Sequence, residues 1–253
     1  MIGKLLLKGM QAGIIAGVMA FIFAHHFGEP QVDKAIAFEE SIDKHENADL
    51  ISGSHAHTHN TEESVVSRAT QSGFGLFSGI VLLGASLGGG LALIWAFSYQ
   101  RVGQVSPKAL ALYLAFAGFL IFSLIPSIKY PPNPPAVGNP DTIGYRTGLY
   151  FTMLLLSACY IIFSVFLHMK MRQSVSNWNS SVCAFLVCLV FIIPTYTFLP
   201  AVNEIPDDFS ADLLWRFRLS SIGIQLVMWI TIGISFGFMA SALLGKKINH
   251  LYK

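Results

Sequence analysis

Charge is scarce in this chain of 253 residues: Asp, Glu, Lys and Arg make up 12% of it, against 53% apolar residues. A soluble domain carries roughly twice that charge, so a soluble globular fold is excluded. Cysteine is scarce too. Cys159, Cys183 and Cys188 all fall in apolar stretches, which excludes a disulfide framework and leaves ordinary packing as their role. Nucleotide loops are missing: "GASLGGG" at 84–90 lacks the Lys-Ser/Thr ending of a phosphate loop. Neither a nucleophile and base constellation nor a redox-cofactor signature is present. The chain is therefore expected not to be an enzyme, to hold no tightly bound cofactor and to bind no nucleic acid.

What is present is apolar length. Six stretches, about 9–27, 73–98, 108–128, 147–168, 181–200 and 219–244, reach the roughly 20 residues that a helix needs to cross a bilayer core, and none carries a charge well inside it. The expected fold is an all-α integral membrane protein, one polytopic domain over 1–253 built as a six-helix transmembrane bundle with a long outside loop between helices 1 and 2. The first stretch follows Lys4 and Lys8 but has no small-x-small cleavage site, so it reads as a retained helix rather than a signal peptide. Glycines at four-residue spacing, Gly9–Gly13–Gly17, Gly75–Gly79, Gly84–Gly88 and Gly233–Gly237, predict close helix contacts, because small residues let backbones approach where water cannot drive association. Gln11 and Gln225 are the notable polar residues within the spans; interhelical hydrogen bonds are their expected role.

Acid is absent from every segment on one side. With the N-terminus inside, the inner segments hold Lys4, Lys8, Arg101, Lys108, Lys170, Arg172, Lys246, Lys247 and Lys253 and no Asp or Glu, while all acids fall in the three outer loops. This sorting places both termini inside a cell membrane.

The outer loops carry the candidate chemistry. The first, 28–72, begins with "PQVDKAIAFEESIDKHEN", which predicts a short amphipathic helix on the membrane surface, and continues through "GSHAHTHN", predicted to be a mobile arm. In extended chain His55, His57 and His59 project to one side and can converge on one ion. Imidazole suits Co, Ni, Zn or Cu rather than Mg or Ca. His25 and His26, with Glu29 one turn on, form a second candidate metal site at the outer mouth of helix 1. A solvated, histidine-rich loop without a metal is the competing reading of the arm. The second loop, 129–147, packs five prolines into 131–140, which excludes helix and predicts a rigid outside cap, with Asp141 capping the next helix. In the third, "PAVNEIPDDFSADLLWRFRLSS", Glu204, Asp207 and Asp208 are expected to neutralise Lys129, Arg146, Arg216 or Arg218, and Pro126 and Pro194 to stop or kink helices 3 and 5 near their outer ends.

The opening "LLLKGMQAGIIAG", the His25–His26–Glu29 exit, the histidine-bearing loop, "KYPPNPPAVGNPDTIGYRTGLYFTMLL" and "LPAVNEIPDDFSADLLWRFRLSSIGIQ" together resemble the CbtA family of cobalt-transporter subunits over almost the whole chain. That resemblance implies cobalt uptake linked to cobalamin supply and a small single-helix CbtB partner bearing its own histidines. Two functions follow as expectations. One is a permease subunit for a divalent transition metal, cobalt first, then Ni, Zn or Cu, with the outer histidines as its capture site. The other is a non-transporting accessory subunit that assembles with, or delivers metal to, a larger membrane complex, favoured by the absence of any acid or histidine at mid-depth in the spans.

Overall fold

The computed structural model describes residues 2–51, 67–135 and 137–251, with side-chain surroundings for 2–42, 67–135 and 137–245. Six helices are long and apolar enough to cross a membrane: α1 Ile2–Ile42, α2 Arg68–Ser98, α3 Pro107–Lys129, α4 Pro140–Met171, α5 Asn177–Phe198 and α6 Ala211–Gly245. No strand occurs among the described residues. Each expected apolar stretch lies inside one of these helices, apart from residues 199 and 200, which follow the end of α5. The chain is an all-α membrane bundle with one basic end and one acidic end.

Four helices form the core. On α1, Gly9, Gly13 and Gly17 meet Gly88, Gly84 and Val81 of α2; a β-carbon at Gly9 or Gly13 would fall on the carbonyl oxygen of Gly88 or Gly84. Backbones this close exchange dispersion over many atoms, and that packing takes the place of a hydrophobic drive inside lipid. The opposite face of α1 and the length of α3 pack on α6, where Gly233 admits Ala115 and Gly118 lies under the Trp229 ring. Trp95, Met228, Ile232 and Phe236 are fully enclosed at the centre. The Gly75–Gly79 ridge does not pack as expected: a β-carbon at Gly79 would meet open space, and one at Gly75 would meet only its own helix at Thr70.

The α4–α5 hairpin stands apart. Only 11% of the apolar window of each is buried, against 39% for α1. The two helices hold each other through Tyr160 and Thr195, whose hydroxyls lie 2.6 Å apart, and through Ser180, which donates to the His168 carbonyl at 2.8 Å. Near the acidic end they are tied to α3: Tyr150 donates to Phe122 O at 3.0 Å, Tyr196 to Ile125 O at 2.6 Å and Lys129 to Tyr196 O at 2.8 Å.

Prolines pass through helices here rather than ending them. Pro126 lies within α3 and Pro194 within α5. A proline has no N–H for the carbonyl four residues back and its ring crowds that carbonyl. Among the described residues, the π-turns Ala24–Gly28 and Leu120–Leu124 end two residues before Pro30 and Pro126 and contain those carbonyls, those of His26 and Phe122. The widened turn relieves the clash, and the freed Phe122 oxygen takes the Tyr150 hydroxyl.

The π-turn in α1 also changes the expected surface helix. Residues 29–51 continue α1 as one helix beyond the apolar stretch. Ala35 and Phe38 there pack with Val137, Phe209, Leu213 and Leu214 in a small second core, Phe38 meeting Phe209 edge-on at 4.9 Å. Among its described residues the cap is non-helical from Tyr130 to Asn139, across its first four prolines, while Pro140 opens the short 3-10 turn Pro140–Thr142 at the start of α4. Its helix-starting residue is Asn139 rather than Asp141: the Asn139 side chain accepts the Asp141 N–H at 2.9 Å.

Candidate metal entrance and polar cavity

Two imidazoles meet at the acidic end of α1. His25 and His26 both sit in the π-turn Ala24–Gly28, both exposed, with ring centroids 5.7 Å apart. His25 stacks on Phe21 at 5.8 Å. His26 Nδ1 lies 2.8 Å from the Ile22 carbonyl. A carbonyl only accepts, so Nδ1 carries the proton and Nε2 of a neutral ring keeps its lone pair, the tautomer a metal-binding histidine needs. The His26 ring thus presents a nitrogen of the kind that a borderline-soft dication takes.

Glu29 is placed next to this pair in sequence but its carboxylate faces α2. It pairs with Arg68, which also donates to Asp33 Oδ1 from Nη2 at 2.9 Å and from Nε at 3.1 Å. The Glu29 side chain is 13% exposed. Among the described residues no group of three or more His, Cys, Asp or Glu stands close enough to hold one ion. His55, His57 and His59 lie outside the described residues. His168, given no role from sequence, hydrogen-bonds Ser180 Oγ at 3.0 Å within the α4–α5 hairpin.

Along α1 before His25 the described residues include no His, Cys, Asp or Glu. Gln11 is exposed and accepts from Lys8 Nζ at 2.9 Å, and Met19 is 48% exposed, so neither faces the packed centre. Met228 is fully enclosed in the core.

Sequence reasoning missed a cavity of about 590 Å³ under the proline-rich cap. Its floor is Phe122 and Ser123 of α3 with Ser221 and Gln225 of α6, its walls Thr147 and Tyr150 of α4, and its roof Pro131, Pro132, Asn133 and Val137. Arg146 and Arg218 both reach it. Glu204 from the third loop neutralises Arg146 at 3.2 Å while accepting from Thr142 Oγ1 at 2.6 Å and from the Asn139 N–H at 2.8 Å. Those two hydrogen bonds, with the Arg146 charge, hold the Glu204 carboxyl below the usual carboxylate range. Of the acid-to-base pairings expected at this end Glu204–Arg146 forms, whereas Arg216 pairs at 2.7 Å with Asp212 of its own helix, an acid outside that expectation. The signal available beforehand was Gln225, a lone amide in an apolar span; the rest of the lining comes from five separate segments.

Six spanning helices, a basic end and an imidazole-bearing acidic end define a multi-pass α-helical membrane protein. The family described as "Probable cobalt transporter subunit (CbtA)" matches residues 2–241, and the chain belongs to that family. Membership supports a role in cobalt transport, with the metal as cargo, and the word subunit implies a partner. No curated protein and no solved structure matches the chain.

Proposed function

We propose that this chain is the membrane-spanning permease subunit of a divalent-metal uptake system whose cargo is cobalt, lying in the cell membrane with both termini inside. The observation that carries the reading is the imidazole pair His25–His26 exposed at the acidic end of α1, in a family of probable cobalt transporter subunits. His55, His57 and His59 would gather the dication and hand it to that pair, with Glu29 joining once Arg68 releases it. Acid confined to one end favours cations there, and the purely basic segments at the other end favour an inside location by the positive-inside rule. A small single-helix CbtB-like subunit with its own histidines is the proposed partner.

Cobalt uptake at limiting metal, in cells expressing His25→Ala/His26→Ala or His55→Ala/His57→Ala/His59→Ala variants, tests each step. Both variants should lower uptake at limiting cobalt and recover at high cobalt. Wild-type uptake from the first variant sinks the entrance, and from the second sinks the arm.

A second reading has its own support. None of the six apolar stretches carries an acid or a histidine at mid-depth, which a self-sufficient cation route through lipid calls for. That favours an accessory subunit that delivers metal to a larger membrane complex. Liposomes containing the chain with its small partner discriminate: cobalt flux supports the permease, and no flux combined with stable co-purification of a metalloenzyme supports delivery.

A further inference from the structure

We infer that the cavity under the proline-rich cap is an anion site that takes a small carboxylate- or phosphate-bearing ligand on Arg218. Three observations carry this. First, the residues lining the cavity include Arg146 and Arg218 and no Asp, Glu or His. The charge of Arg146 is matched by Glu204 outside the lining. Arg218 makes no ion pair among the described residues; its one protein partner is neutral, Asn133 Oδ1 at 2.9 Å from Nη2.

Second, the Arg218 Nε–H is buried with no hydrogen-bond partner among the described residues. A buried unsatisfied donor on a charged group is costly, and with Nη2 anchored on Asn133 the Nη1 group is the part of the guanidinium left to meet an incoming oxygen. Third, the surroundings suit a ligand of several atoms. A volume of about 590 Å³ falls in the range of small-molecule sites and far exceeds a halide ion. Around it stand the Ser127 and Thr147 hydroxyls and the Gln225 amide, groups that orient an oxyanion by further hydrogen bonds.

The site is separate from the imidazole pair. Along α6, Arg218, Ser221 and Gln225 face the cavity, while Ser220 donates to Phe27 O at 2.9 Å and Gly223 and Ile224 contact Phe23 and Gly28 of α1. One helix therefore carries the anion site on one side and backs the metal entrance on the other. A bare dication is disfavoured in a cavity lined by arginine, whereas a carboxylate or phosphate group is drawn to it, whether free, chelating a metal, or on a lipid headgroup. The inference stands independently of the metal-uptake reading.

The test uses the full chain purified in an uncharged detergent, titrated with citrate and with inorganic phosphate at constant ionic strength and without added metal, followed by calorimetry and thermal unfolding. At least one oxyanion should bind saturably. Arg218→Gln should weaken binding about 10- to 100-fold, Arg218→Lys should recover part of it, and Arg216→Gln, on the exposed face, should leave it unchanged. The same titration in nanodiscs of phosphatidylcholine alone or with phosphatidylglycerol separates the sources: occupancy by phosphatidylglycerol that excludes citrate and phosphate assigns the site to a headgroup, and unchanged titration assigns it to a free anion. No saturable binding of any of the three oxyanions, or equal binding by Arg218→Gln, overturns the inference. Should Arg218→Gln lose its helical circular dichroism, Thr147→Val and Gln225→Leu keep the charge and should each weaken binding several-fold; binding unchanged in both counts against the site.

Discussion

Replacing Gly13 by Ala adds one methyl group at the tightest crossing in the molecule. An ideal β-carbon there would collide with the Gly84 carbonyl and crowd the Ala85 Cα at 2.9 Å, where ordinary contact begins near 3.4 Å. Both obstacles are backbone, so no rotamer change relieves them and α1 and α2 must separate along the crossing. Overpacking of this kind costs about 1–3 kcal/mol, and the separation also loosens Gly9 against Gly88 and Gly17 against Val81. Gly79→Ala is the internal control on α2. Its β-carbon meets nothing within 4 Å, and Ala is favoured over Gly in a helix by about 1 kcal/mol. The two single-methyl changes should therefore have opposite signs and differ by about 2–4 kcal/mol. Thermal unfolding of the detergent-purified proteins reads this as a lower midpoint for Gly13→Ala and an unchanged or higher one for Gly79→Ala. Equal midpoints would refute the glycine crossing as the tie between α1 and α2.

Three further outcomes follow from particular contacts. The Glu204 carboxyl is held below its usual value of 4.5, so its contribution to the cap is fully present above that pH and is lost as pH falls through the lowered value; protection of the Asn139 amide, its exchange relative to the intrinsic rate at the same pH, should fall only in that acid window, and Glu204→Gln should abolish the step. Tyr150→Phe removes the hydroxyl that serves the Phe122 carbonyl and should cost about 1 kcal/mol. Pro126→Ala in the same chain restores a backbone donor in that turn, so the double variant should lose less than the two single losses summed, and strict additivity in the unfolding midpoints would dissociate the two residues. Arg68→Gln releases Glu29, one helical turn beyond the imidazole pair, so cobalt binding measured by calorimetry should tighten; unchanged affinity would remove Glu29 from the metal entrance.

The sequence made the spans legible because lipid demands length and apolarity, and those are one-dimensional properties. It also made the α1–α2 crossing legible, since Gly9, Gly13, Gly17, Gly84 and Gly88 at that spacing let two backbones approach. Gly75 and Gly79 show the limit: the same spacing on α2 faces nothing. The loose placement of α4 and α5 could not be read, because a lipid-facing helix and a packed one need the same apolar content. The continuation of α1 through Pro30 was hidden because the apolar stretch ends at residue 27 and the amphipathic segment after it reads as a separate surface helix, whereas a π-turn carries the helix past the proline. At the candidate sites the His25–His26 pair was legible from adjacency. The engagement of Glu29 by Arg68 was not, since the two are joined only by the approach of α1 and α2. Nor was the cavity, because Asn133, Arg146, Val202 and Arg218 come together from different segments.

The π-turns have a consequence for how such a protein can change. One extra residue in a turn rotates everything beyond it by about 100° relative to what precedes it. The His25 and His26 rings therefore take their bearing from the turn at 24–28, while Gly9, Gly13 and Gly17 take theirs from the crossing with α2. A one-residue insertion or deletion at that turn would leave the glycine crossing in place but would swing Ala35 and Phe38 off the second core and Glu29 away from Arg68, so the outer half of α1 holds its bearing through those contacts rather than through the crossing.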